Sequence, residues 1–368
     1  MKLPLRHQDT KVHKNLNYNN ISFVQLSDLV TWCLGGEKNT FRSSLNLKWS
    51  RFVHTKIIFM KKQFSGSFLL LILFFGLLHS CGNIAQKINS AVDYATAGPD
   101  SGSLVIVGGG MKDSAIINRF ISLAGGVDAP LIVIPTASGE KVIDNTKAAE
   151  ILTFAGARNV TVLHTYDSSV ANSDAFVLPL KNARGVWFGG GRQWRLVDAY
   201  ANTLTEKEIR NVLARGGVIG GSSAGATIQG SYLVRGDTRT NTLVMGDHEK
   251  GFAYLKNSAI DQHLLVRNRQ NDLPSVITKY PWLLGIGLDE NTAIVVKGNE
   301  FEVIGQSYVA VYDYRLWQDN GAAKRKLKTG ARFFLLRKGD WYNVKTREVT
   351  KWGGDPTRNI FTDSSSAR

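Results

Sequence analysis

Cysteine is nearly absent: Cys33 and Cys81 are the only two in 368 residues. That excludes a disulfide-built scaffold and a zinc site made of cysteines. Proline is scarce, at 8 against 36 glycines, and 20% charged beside 43% hydrophobic residues excludes a disordered, collagenous or coiled-coil chain. There is no internal repeat and no low-complexity tract. Acidic residues are also few, 30 against 45 Lys and Arg, and the resulting net charge of +15 invites a nucleic-acid reading. Its distribution argues against one. Residues 1–80 hold 11 basic and 3 acidic side chains, or +8, which leaves +7 spread over residues 81–368. Aromatic residues are not interleaved with the basic ones in any stretch that would stack bases, so no nucleic-acid partner is expected. What is present is enough chain for a large core, about two domains at ~150 residues each.

The basic N-terminal excess has a local cause. Met60-Lys61-Lys62 precedes an apolar run, Phe68 to Leu78, and then His79-Ser80-Cys81. A positive start followed by so short an apolar core reads as an export signal rather than a bilayer span, which needs about 20 residues. A transmembrane anchor with a basic cytoplasmic tail is the competing reading, and the short run disfavours it. Ser80 before Cys81, with Leu78 two residues earlier, resembles the lipobox of bacterial lipoproteins, in which the cysteine becomes the lipidated first residue. His79 departs from the usual small or aliphatic residue there. The expected organisation is therefore a non-native upstream extension or disordered segment over 1–59, a lipoprotein signal over 60–81 ending at Cys81, a tether over 82–102, and a folded domain over 103–368. The product would be exported and held at a membrane by lipid at Cys81.

From Leu104 onward short apolar runs alternate with amphipathic stretches, a pattern that predicts a mostly parallel, doubly wound α/β sheet. The expected strands are Leu104–Val107, Leu131–Pro135, Val160–Leu163, Gly185–Phe188 and Val218–Gly220. A helix is expected over 205–215, with Thr205 and Glu208 as a capping box and Gly216-Gly217 as the stop. After Thr292 the sequence alternates around Gly298-Asn299 and Gly339-Asp340, which predicts C-terminal antiparallel hairpins at one sheet edge.

Two glycine clusters carry different weight. Gly108-Gly109-Gly110 follows a strand, but the sixth position of a dinucleotide fingerprint there is Asp113, so a tight turn lining a pocket is the better reading. Gly221-Ser222-Ser223-Ala224-Gly225 fits a G-x-S-x-G nucleophile elbow, and only Ser223 has glycine at both −2 and +2. A helix start behind it would offer N–H groups to a developing oxyanion. A serine nucleophile needs a base. Four of the seven histidines fall before residue 80, leaving His164, His248 and His263. A structural or surface role suits the first two. His263 lies in the polar cluster Asp261-Gln262-His263, followed by Arg267 and Arg269 at the start of an apolar helical stretch. An orienting carboxylate should complete the set, and Asp289 or Glu290, at the end of an apolar strand, could serve.

These motifs resemble the S51 serine peptidases, whose members include cyanophycinase and the aspartyl dipeptidases. The resemblance runs from Leu104 to Tyr312 and rests on VIVGGG at 105–110, FGGGRQ at 188–193, the Ser223 elbow, the Asp261-Gln262-His263 run with its two arginines, and GIGLDENTA at 285–293. It implies a three-layer α/β sandwich similar to class I glutamine amidotransferases. It also implies Ser223 as nucleophile, His263 as base and acid, and Glu290 as orienting carboxylate, with neither metal nor organic cofactor. The Gly191 and Ala224 N–H groups are then the expected oxyanion donors, and Gln193, Asp261, Gln262, Arg267 and Arg269 the expected substrate contacts. The implied substrate is a small aspartyl peptide, in particular a β-aspartyl or poly-aspartate type, and a homodimer is compatible with the resemblance. One position departs: Asp272 stands where cyanophycinases carry a third arginine, which predicts a preference for a cationic group. A non-catalytic, peptide-binding lipoprotein of the same fold is the alternative.

Overall fold

The computed structural model describes residues 95–318, 325–327, 330–354 and 361–363. The expected leader with Cys81, the upstream extension and the first part of the tether lie outside them. The alternating half builds β1 (Ser103–Val107), α1 (Ser114–Ala124), β2 (Leu131–Ile134), α2 (Asn145–Thr153), β3 (Val160–Val162), α3 (Ser168–Ala171), α4 (Asp174–Asn182), β4 (Gly185–Phe188), α5 (Gln193–Tyr200), α6 (Leu204–Ala214), β5 (Val218–Ser222) and α7 (Ala224–Thr227). The expected strands all form, and they pair in parallel in the order β1-β5-β4-β2-β3. Every residue of β1, β2 and β4 is buried, as continuous apolar runs require when both faces of a sheet are covered. On one face Ile116, Phe120 and Ile121 of α1 pack with Val105, Val107 and Val133. Asp113 caps that helix by accepting from the Ala115 N–H, and Gly125 closes it at φ 110.

α6 starts one residue before its expected position and is not capped by Thr205. Its buried stripe of Ile209, Val212 and Leu213 fixes the helix rotation so that Thr205 points inward and donates to the Ala171 carbonyl. Thr203 is the cap residue instead, and Glu206 reaches back to accept from the Asn202 N–H at 2.8 Å. Gly216 and Gly217 stop the helix as expected, donating to the Leu213 and Val212 carbonyls.

The second half contains β6 (Gly230–Tyr232), β7 (Leu255–Gln262), α8 (Leu273–Lys279), β8 (Leu284–Leu288), β9 (Thr292–Lys297), β10 (Glu300–Gly305), β11 (Tyr308–Tyr312), β12 (Arg325–Leu327), β13 (Phe334–Arg337), β14 (Trp341–Asn343), β15 (Glu348–Lys351) and β16 (Phe361–Asp363). β9 and β10 form the expected hairpin and, with β14 and β15, add an antiparallel edge that makes a nine-stranded sheet. The strands flanking Gly339-Asp340 do not pair with each other. β13 joins β11 while β14 joins β10, because buried Asp340 turns the chain from one sheet to the other, accepting from the Arg337 and Gly353 N–H groups. β13-β11-β8-β7-β6 form a separate five-stranded sheet that the sequence pattern did not disclose. Its Ile260, Ile286 and Val309 share a core with Leu104, Ile106 and Phe188 of the larger sheet, while Ala259, Ala310 and Tyr312 pack with α8. The result is a mixed, layered α/β fold.

Part of the expected tether belongs to this body. Thr96 is buried, Ala97 bridges to Lys256, and Asn257 and Arg347 hydrogen-bond to Ala95 and Thr96. No helix among the described residues is long and apolar enough to cross a membrane.

Candidate active site

β5 ends in Gly220-Gly221-Ser222, and the chain must reverse at once to begin α7. Ser223 sits at that reversal with φ 56 and ψ −109, a conformation that costs an L-residue about 1–3 kcal/mol. Its N–H donates to the Val107 carbonyl, which fixes the elbow against β1. The strain aims Ser223 Oγ at His263 Nε2, 2.9 Å away. His263 Nδ1 in turn lies 2.6 Å from Glu290 Oε1. A carboxylate at Nδ1 holds the proton there and leaves Nε2 as the acceptor for the serine hydroxyl.

The geometry separates Asp289 from Glu290. Asp289 accepts from the Leu265 and Val266 N–H groups and from Ser307 Oγ, so it closes the turn after His263. Glu290 alone reaches the imidazole. That segment is not the expected helix: β7 runs to Gln262, His263 has φ 55, and a single turn follows. The first glycine cluster packs against the pair. A Cβ on Gly109, at φ 120, would lie 2.7 Å from His263 Nδ1, and one on Gly110 would strike the Glu290 carboxylate. Gly108 O accepts from the His263 N–H and Gly109 O from the Asn291 N–H, so the turn reads as a seat for the His–Glu pair. Burial, chiefly, and the nearby Arg267 and Arg269 charges hold the His263 pKa below its ordinary value against the opposing pull of Glu290.

A cavity of about 460 Å³ opens beside Ser223, lined by Ser138, Arg192, Arg195, Asn241, Gln262 and Arg267, with Gly191 at its wall. The Gly191 and Ala224 N–H groups make no hydrogen bond among the described residues; Gly191 lines the cavity, and buried Ala224 follows Ser223 at the start of α7. Among the expected substrate contacts, Gln262 and Arg267 line this cavity. Gln262, almost fully buried, accepts at its Oε1 from Arg269 at 2.6 Å.

The other three expected contacts are engaged inside the protein. Gln193 is fully buried and donates to the Val234 and Arg235 carbonyls. Arg269 donates to the Gln262 carbonyl and side chain and lies 3.8 Å from Asp261. Asp261 is gripped by both arms of Arg235, at 3.0 and 3.1 Å. Arg235 also pairs with Asp272, which does not line the cavity, so the expected preference for a cationic group gains no support from its position. Sequence reasoning missed Arg235, Arg192 and Arg195. Arg192 stood inside the quoted FGGGRQ run and was passed over for Gln193; nothing local marks Arg235. His164 bonds to Thr136 and His248 pairs with Asp198 and Asp247, and neither lines the cavity beside Ser223.

Residues 104–304 match the family described as Peptidase family S51. The chain is 32% identical over 259 residues to a cyanophycinase of Geminocystis herdmanii, covering 67% of this chain and 95% of that protein. It is 29% identical to a cyanophycinase of Synechococcus elongatus, covering 67% and 80%. Among solved structures, a peptidase from an acI-B1 Actinobacterium shares the fold at a TM-score of 0.51 and 21% identity, over 66% of this chain and 97% of that one. The matched segment contains the elbow, the His263 turn and Glu290, and on that match the chain belongs to peptidase family S51.

Proposed function

We propose that the protein is a serine exopeptidase that hydrolyses aspartyl peptides, β-aspartyl links of the cyanophycin type in particular, through an acyl-enzyme. The observation that carries this reading is the unbroken relay from Ser223 Oγ through His263 to Glu290, at 2.9 and 2.6 Å. Ser223 Oγ attacks the scissile carbonyl while His263 Nε2 takes its proton. The oxyanion that forms is met by the Gly191 and Ala224 N–H groups, each worth roughly two to three decades in rate. His263 then protonates the departing amine, and a water activated by the same nitrogen hydrolyses the ester. Glu290 holds the tautomer and stabilises the imidazolium. Arg267 and Gln262 supply a charged and a neutral donor for a substrate carboxylate. The names of the cyanophycinase relatives support the substrate class. We place this activity outside the cytoplasm, on a lipoprotein acylated at Cys81; palmitate labelling that survives Cys81→Ser would refute that placement.

The test of the activity is release of free amine from β-aspartyl dipeptides and cyanophycin by the full chain and by Ser223→Ala. The variant is expected to lose at least 10³-fold, in line with loss of a nucleophile. Release by both proteins at the protein-free rate would return the chain to a binding role, and equal release above that rate would remove Ser223 as nucleophile.

A further inference from the structure

The cavity beside Ser223 has a one-sided charge. Arg192, Arg195 and Arg267 line it, and no carboxylate does. The Arg192 and Arg267 guanidinium groups form no hydrogen bond or ion pair among the described residues, only their backbones being bonded. Arg195 gives one N–H to the Ala137 carbonyl at 3.0 Å and lies over the Trp194 ring. Asp261 and Asp272, on either side of Arg267 in sequence, are not part of the lining and are paired with Arg235 and Arg269.

A substrate must complement that charge. A β-aspartyl dipeptide ending in arginine carries two carboxylates, one ammonium and one guanidinium, so its side chain would meet three like charges. One ending in glutamate or aspartate carries three carboxylates, matching three guanidiniums whose planar forks bind carboxylates in pairs of hydrogen bonds. Building on the proposed β-aspartyl hydrolase reading and departing from its arginine-bearing, cyanophycin-type substrate, we infer that this pocket selects β-aspartyl peptides whose departing residue is acidic, with Arg192 and Arg195 as specificity-determining residues beside Arg267.

The experiment compares kcat/KM of the full chain on β-aspartyl-glutamate, β-aspartyl-glutamine and β-aspartyl-arginine, after a fluorophosphonate has established that Ser223 is reactive. The expected order is glutamate, glutamine, arginine, with glutamate ahead of its neutral isostere by about tenfold or more at low ionic strength. Salt should compress that ratio, and Arg192→Gln should reduce it to about threefold or less. Arginine turned over as well as glutamate, a ratio that Arg192→Gln leaves unchanged, or a labelled enzyme that ignores the acidic dipeptide would each overturn the inference while the serine hydrolase stands. A chain that neither takes the probe nor cleaves any of the three fails at the earlier reading and takes the inference with it. Should Arg192→Gln not fold, the salt series on the unaltered protein decides.

Discussion

On the proposed reading His263 is the base, and its pKa is lowered first by burial and then by the Arg267 and Arg269 charges, with Glu290 pulling the other way. A base must be neutral to accept a proton, so the acid limb of kcat/KM should fall below the ordinary imidazole value of about 6.5. Arg267→Gln removes one of the charges that disfavour the imidazolium. The limb should therefore move to higher pH, and a profile that stays in place would show that Arg267 exerts no field at the imidazole. Ser223 carries the complementary cost. Its positive φ is strain held in the ground state, so Ser223→Gly should abolish turnover and raise stability in urea by about 1 kcal/mol. Equal or lower stability would mean that the elbow is unstrained.

At the level of elements, the β1 turn and the end of β7 are fitted to each other. Gly109→Ala places a methyl group against the His263 ring, where the imidazole must give way. Misplacing a base by even 1 Å costs on the order of 10²-fold in rate, and the variant should show that loss in kcat while its far-UV spectrum is unchanged. Arg235 joins the turn after β6 to the end of β7 and the start of α8 through Asp261 and Asp272. Arg235→Met leaves the fully buried Asp261 with Arg269 at 3.8 Å and should destabilise by about 3 kcal/mol or more. Adding Asp261→Asn and Asp272→Asn should recover most of that, since the cost lies in the unpaired acids. The same cluster shows why some of the site was unreadable. Asp261, Arg269 and Gln193 looked like substrate ligands because a sequence displays their chemistry and not their partners. Arg235, distant in sequence and flanked by ordinary residues, satisfies two of them directly, Asp261 through its guanidinium and Gln193 through its carbonyl, and lies beyond the reach of local pattern.

For the whole molecule, the parallel strands were legible because a strand buried on both faces must be apolar throughout, and the elbow because its glycines flank one serine. The second sheet was not, since β6, β7 and β8 are separated by long connections and their pairing is decided by the core they share with β1 and β4. Asp289 and Glu290 could not be ranked for a related reason: both leave β8 together, and only the tertiary approach of His263 chooses. That approach makes the triad a joint between two sheets. Ser223 stands at the end of β5 in the nine-stranded sheet, His263 follows β7 in the five-stranded one, and Glu290 lies on the strap that passes from one sheet to the other. Turnover therefore gauges how firmly the sheets are docked. In a urea titration, activity should fade at lower denaturant than ellipticity, because a slip of about 1 Å along the seam disarms the serine while both sheets keep their own hydrogen bonds. Coincident midpoints would instead mean that the seam opens only when the whole chain unfolds. A ligand clasped across the seam should bring the two curves together, so the enzyme would be sturdiest while it is occupied.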